Sequence, residues 1–157
     1  MGQKSGCGKR LDGKGAIVTG ATGGIVEAEA KRFLEEGASR MLVGRSAEKL
    51  AATRNNLADL GNVATSVADA ADENAMAAAV ASSVDAFGGI AILLANAGTE
   101  GKIALIEDQT VENFEEVLRT NVIGVWLSMK YCVEPMKKRG RGSMRARSSL
   151  AGVIGVP

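Results

Sequence analysis

Residues able to do chemistry gather in a few short stretches of this sequence. Thr19-Gly20-Ala21-Thr22-Gly23-Gly24-Ile25-Val26 follows an apolar run and leads into an amphipathic one. A glycine-rich turn between a strand and a helix lets backbone N–H groups approach a phosphate, and the helix N-terminus favours its negative charge. Taken alone, the same pattern also serves a tight turn that needs small residues. Asp69 stands in Val67-Ala68-Asp69-Ala70, Asn96-Ala97-Gly98 follows a fourth apolar run, and Asn121 lies in a long amphipathic stretch. Ser149 belongs to Ser148-Ser149-Leu150-Ala151-Gly152. Singly, Asp69 reads equally as a loop cap, Asn121 as a solvated helix amide and Ser149 as a strand-end turn residue.

The elements that must position these residues alternate. Short apolar runs at 16–19, 40–43, 62–67 and 90–95 are separated by longer stretches with helical periodicity, the pattern of βαβ units and a parallel sheet. Ile90-Ala91-Ile92-Leu93-Leu94-Ala95 is the continuous hydrophobic run expected of a strand buried on both faces. Ser46 caps a helix with Leu50, Leu57 and Leu60 inward that stops at Gly61. Asp72 caps another, with Met76, Val80, Val84 and Phe87 recurring at three and four residues. A long helix is predicted over 110–139, apolar at Phe114, Val117, Leu118, Val122 and Val125, with Pro135 kinking it or ending it early. A fifth strand is expected over 143–149.

Composition bounds the classes. A chain of 157 residues is one domain's worth and buries roughly two thirds of its unfolded surface. Hydrophobic residues are 46% and charged residues 24%, a globular rather than a disordered profile. Formal net charge is +1, so no long-range field favours nucleic acid or an anionic membrane. There is no histidine, which removes the commonest metal ligand, and no metal is expected. Cys7 and Cys132 have no metal-ligand spacing and read as reduced thiols of a cytoplasmic protein. No stretch reaches the run of about 20 apolar residues that a membrane span requires. The basic cluster Lys137, Lys138, Arg139, Arg141, Arg145 and Arg147 lacks an aromatic platform for nucleic acid, since aromatics are 3% of the chain; it reads as a solvated helix C-terminus. Residues 1–14 read as a flexible basic leader.

In order and spacing, the glycine loop, Asn96-Ala97-Gly98, Asn121-Val122-Ile123-Gly124 and Ser148-Ser149-Leu150-Ala151-Gly152 together resemble the short-chain dehydrogenase/reductase family over residues 11–157. The resemblance implies a Rossmann-type doubly wound parallel sheet of about five strands in a three-layer αβα arrangement, an incomplete NAD(P)-binding domain over 15–157. It implies an oxidoreductase acting on an alcohol or ketone, homo-oligomeric (dimer or tetramer) at full length. Gly20 and Gly24 match the loop glycines, with Thr22, Gly23 and Ile25 lining the diphosphate. Asp69, beside Ala70, matches the acceptor of the adenine amino group. Asn96, Ala97 and Gly98 match the wall of the adenine ribose. Asn121 matches the holder of a water in the proton relay, and Ser149 the residue that hydrogen-bonds the substrate oxygen.

The carboxylate that accepts the 2′-hydroxyl of NAD is expected where the second strand ends. Here Met41-Leu42-Val43-Gly44-Arg45-Ser46 has none. Arg45 is suited to pair with a 2′-phosphate, Ser46 adds a hydroxyl, and Gly44 leaves room, so NADP(H) is favoured over NAD(H). A solvated loop cation is the alternative for Arg45.

Departures from the family pattern stand beside these matches. The family's proton-transferring tyrosine, followed four residues later by a lysine that lowers its pKa, is absent. Tyr131 is the only tyrosine, and Pro135 stands four residues on. Val26 replaces the last loop glycine, where it would crowd the pyrophosphate or push the helix outward. Met144-Arg145-Ala146-Arg147 occupies a strand that should be apolar, tolerable at a sheet edge where the arginines reach water. Two readings remain: an oxidoreductase, incomplete and inactive as given, or a non-catalytic dinucleotide-binding or interaction module that leaves Val125, Trp126 and Met129 partly exposed.

Overall fold

The computed structural model describes residues 9–22 and 24–149. Five strands, β1 (Gly15–Thr19), β2 (Ser39–Gly44), β3 (Val63–Val67), β4 (Ile92–Ala95) and β5 (Ser143–Ala146), form one parallel sheet in the order β3-β2-β1-β4-β5. Between them run α1 (Gly24–Glu35), α2 (Ala47–Leu57), α3 (Glu73–Phe87), α4 (Val111–Leu118) and α5 (Gly124–Lys138). The chain winds outward from β1 to β3, then returns to the other side of β1 for β4 and β5. This is the doubly wound Rossmann-type fold that the sequence predicts.

Alternation along the strands sends side chains to two separate cores. Ile17, Met41, Val43 and Leu93 face α3 and α5, where they meet Met76, Val80, Leu127 and Cys132. Val18, Leu42 and Leu94 face α1 and α2, against Val26, Ala30, Leu34, Leu50 and Leu57. Each such side chain stabilises the fold by roughly 1.5–3 kcal/mol through burial. Burial pushes the Cys132 thiol up to about 12, so it stays protonated at neutral pH.

Helix ends follow the chemistry of their sequence. Lys49 N donates to Ser46 Oγ at 3.3 Å, Ala75 N to Asp72 Oδ1 at 2.8 Å and Asn113 N to Thr110 Oγ1 at 3.2 Å, each contact contributing about 1 kcal/mol. Gly88 closes α3 in the left-handed conformation, φ 71°.

The structure differs from the sequence reading in three places. The long helix is continuous from Val111 to Lys138, but a five-residue π-helical segment, Arg119–Ile123, widens it between α4 and α5. Pro135 neither ends nor shortens α5, which continues to Lys138. Proline forfeits only one hydrogen bond so near a helix end, while buried Cys132 and Met136 hold that last turn against the sheet. Strand β5 ends at Ala146 rather than 149.

Residues 9–14 are tied to the end of α1: Leu11 N donates to Glu36 O at 2.9 Å, and Arg10 pairs with the Glu36 carboxylate. Among the described residues, no helix is long and apolar enough to cross a membrane.

Candidate functional site

Where β2 and β4 flank β1, the connections leave toward opposite faces of the sheet, and a crevice opens at the strands' carboxyl ends. The turn leaving β1 floors it. Gly20 has φ +66°, and a Cβ built there would stand 2.7 Å from Ala97 Cα and 2.9 Å from Ala97 N. Both the backbone angle and the close approach of the β4 loop therefore demand glycine. Thr19, buried beneath, accepts from Asn96 N and Ala97 N through its Oγ1 at 3.1 and 3.2 Å. Asn96 Nδ2 donates back to Thr19 O and Gly20 O, each at 3.3 Å. The two loops form a single hydrogen-bonded unit.

The crevice, about 430 Å³ in volume, brings together nine of the residues singled out in the sequence. Gly20 and Thr22 come from the first loop, Arg45 and Ser46 from the end of β2, Asp69 and Ala70 from the end of β3, and Asn96, Ala97 and Gly98 from the end of β4. Arg45 is exposed and makes no ion pair with any described residue. Ser46 Oγ is used as the acceptor that caps α2, which leaves its O–H as a donor. Asp69 does act as a loop cap: Oδ1 accepts from Ala71 N at 2.9 Å. Its second carboxylate oxygen keeps its acceptor capacity.

Other predicted positions lie outside this crevice or outside the description. Gly23 is outside the described residues. Gly24 begins α1 and Ile25 follows it, but their side chains are not described. Asn121 sits in the π-helical segment, where Oδ1 accepts from Thr99 N and Nδ2 donates to Thr99 O, both at 2.8 Å. Ser149 follows the end of β5, exposed, and is not among the residues lining the crevice. Tyr131 donates to Glu73 Oε1 at 2.7 Å, beside Lys130 Nζ at 2.6 Å. Hydrogen bonding to that carboxylate, with desolvation, raises the phenol's pKa, the opposite of what proton transfer near neutrality needs.

Val26 corrects one expectation. It is buried to 1% exposure and packs with Val18, Ala30 and Leu42, so it does not stand in the crevice. Its β-branched side chain is spent on the contact between α1 and the sheet.

Four contributors escaped the sequence reading. Thr19 opens the glycine stretch, but nothing local shows that its hydroxyl ties down the loop after β4. Lys49 and Thr120 line the crevice; Lys49 lies one turn into α2 from Ser46, a spacing that could have disclosed it. Arg147 binds Asn96 Oδ1 and Glu29, contacts far apart in sequence and without any local signal.

A larger hollow, about 520 Å³, lies over β4 and β5 beside α1, lined by Phe33, Ile92, Leu94 and Arg145 among others. It contains none of the residues gathered at the strand ends. As chemistry, the strand-end crevice offers two cations, Arg45 and Lys49, and one carboxylate, Asp69, beside a glycine turn. None of its lining residues is a histidine, cysteine or tyrosine.

Known proteins share both the sequence and the fold. The profile of a family described as short chain dehydrogenase matches residues 14–157. Glucose 1-dehydrogenase of Gluconobacter oxydans (strain 621H) is 37% identical over 151 residues, which are 94% of this chain and 56% of that protein. An NADP-dependent (R)-specific alcohol dehydrogenase of Lentilactobacillus kefiri is 34% identical over 149 residues, 94% of this chain and 59% of that protein. The crystal structure of NAD⁺-bound xylitol dehydrogenase superposes with a TM-score of 0.90 at 33% identity, covering 95% of this chain and 58% of that one. The chain thus spans little more than half the length of these relatives. Matched along almost its whole length, it belongs to the short-chain dehydrogenase family.

Proposed function

We propose that this chain supplies the dinucleotide-binding part of an NADP(H)-dependent oxidoreductase acting on an alcohol/carbonyl pair. The observation that carries the reading is the crevice at the strand ends: a glycine turn with no room for a side chain, beside Arg45, an exposed arginine that makes no ion pair with any described residue. In this reading Gly20, Thr22, Gly23, Gly24 and Ile25 ring the diphosphate at the start of α1. Arg45 and Ser46 take the 2′-phosphate, Asp69 and Ala70 the adenine, and Asn96, Ala97 and Gly98 the adjoining ribose. The fit rests on amides and cations where phosphates need them, with Lys49 as a second cation.

When bound, the dinucleotide supplies the hydride. The chain's own residues bind and orient. Ser149 offers its hydroxyl to the substrate oxygen. Asn121, fixed by its two bonds to Thr99, retains one further donor and one further acceptor position for a water. No tyrosine is followed four residues later by a lysine in these 157 residues, so this polypeptide by itself is expected to bind without turning over. The cytoplasmic setting belongs to the same reading and rests on a free, buried Cys132 thiol.

Choice of NADP(H) follows from Arg45. The NADP-dependent alcohol dehydrogenase supports it among relatives, while the NAD⁺-bound xylitol dehydrogenase marks the alternative. A charge-assisted contact of this kind contributes about 1.5–3 kcal/mol, or roughly ten- to hundredfold in affinity. Fluorescence titration should show NADPH binding tighter than NADH by that factor, and Arg45→Ala should erase the difference. Equal affinities in the wild type would refute the NADP preference. No binding of either would refute the dinucleotide reading.

Homo-oligomerisation is assigned to the α4–α5 face. Phe114, Leu118, Val122 and Trp126 are 61, 42, 57 and 56% exposed there, a contiguous apolar stripe of the kind that marks interaction surfaces.

A further inference from the structure

We infer that Arg147, which directly follows β5, is a positioning residue for the phosphate-binding turn and acts through Asn96. The inference rests on the dinucleotide reading above. Arg147 Nη1 donates to Asn96 Oδ1, and Nη2 pairs with Glu29 Oε1 on α1, both at 2.5 Å. Its backbone N also donates to Ala95 O at 3.0 Å. The residue holds the end of β4 by main chain and side chain at once.

The consequence lies in the direction of the Asn96 amide. An amide group has a donor end and an acceptor end, and side-chain rotation by 180° exchanges them. At Asn96 the donor end faces two carbonyls, Thr19 O and Gly20 O. Turned over, its oxygen would face those carbonyl oxygens and repel them. A guanidinium has no acceptor, so Arg147 tolerates only the oxygen of Asn96 and selects the orientation that binds the turn. Carbonyls held by Asn96 are not free to confront the phosphates of a ligand. Through Glu29 the same guanidinium also anchors α1, whose first residue is Gly24, so the end of β5, the turn and the helix are joined at one cation. The Glu29 side chain is 29% and that of Arg147 33% exposed, which strengthens both contacts relative to open solvent.

The test is a double-mutant cycle read by NADPH titration. Arg147→Met, which keeps length and removes the donors, should weaken NADPH binding about ten- to hundredfold, the range for one hydrogen bond to a charged group. Arg147→Lys, which keeps a charged donor, should recover at least half of the loss on a logarithmic scale. In an Asn96→Ala background, Arg147→Met should change affinity less than twofold, because the element it works through is gone. Losses that add fully in the double variant would assign Arg147 a general structural role and overturn the inference. So would unchanged binding in Arg147→Met, or a lysine variant that recovers nothing. If Arg147→Met does not fold, Glu29→Gln carries the test: weaker NADPH binding supports the inference and unaltered binding overturns it. A wild type that binds no dinucleotide defeats the dinucleotide reading and this inference together. A wild type that binds, with an unaffected Arg147→Met, defeats only the second.

Discussion

Substituting Gly20 by alanine examines the turn with a single methyl group. At φ +66° an alanine is strained in the left-handed region, at a cost of about 1–2 kcal/mol. The new Cβ would also stand 2.7 Å from Ala97 Cα and 2.9 Å from Ala97 N. These are backbone atoms within the hydrogen-bonded unit of Thr19, Asn96 and Ala97, so they cannot swing aside as a side-chain tip would. Overpacking of that kind costs about 1–3 kcal/mol. Together the two effects predict a loss of about 2–5 kcal/mol, or a fall in Tm of roughly 5–15 °C for a chain of this size. Gly44→Ala provides the matched control. A Cβ at Gly44 meets Leu50 Cδ2 and Thr22 Cγ2 at 3.5 Å, ordinary van der Waals distance, so its cost should stay below about 1 kcal/mol. Urea unfolding of both variants, with NADPH titration on the same samples, separates stability from binding. Gly20→Ala unfolding within about 0.5 kcal/mol of the wild type would refute the close approach of the two loops.

Two further outcomes follow from charged groups away from the crevice. Arg40 is fully buried, its three guanidinium nitrogens have no hydrogen-bond partner among the described residues, and burial lowers its pKa to about 10 against the partly opposing charge of Glu29. The face of Phe33, 4.7 Å away, offsets only part of this cost. Arg40→Met should therefore raise stability by about 1–3 kcal/mol; destabilisation in urea unfolding would contradict it. Glu36 is held down to about 2, chiefly by hydrogen bonds from Arg10. A carboxyl with a lowered folded-state pKa contributes stability that is present above its unfolded value near 4.5 and is lost as pH falls toward 2. Thermal melting between pH 5 and pH 2 should show a shallower acid decline in Glu36→Gln than in the wild type, at low salt. Parallel declines would count against the Arg10–Glu36 contact.

Much of the fold was legible because strands buried on both faces leave unbroken apolar runs. Runs 16–19 and 40–43 lie inside β1 and β2, and the caps at Ser46 and Asp72 are used as their side chains predict. The crevice was legible for a related reason. Glycine turns and short polar triplets at strand ends declare themselves locally, and the topology then brings the ends together. What the sequence concealed depends on distance or on degenerate periodicity. Arg147 and Glu29 are 118 residues apart, and nothing near either announces the other. The apolar positions 114, 117, 118, 122 and 125 suit one continuous helix, so the five-residue π-helical segment leaves no trace in their spacing. Arg40 is the one charged residue in the run 40–43, and nothing in its neighbours foretells that the structure buries it.

The apolar stripe on α4 and α5 carries the protein's single tryptophan, Trp126. With Lys130 Nζ lying 5.1 Å from its ring centroid, this indole faces water and a cation at once. Its emission is thus a built-in gauge of what happens on that helical face alone. A blue shift that grows with protein concentration would mark subunits closing over the stripe, without any added label.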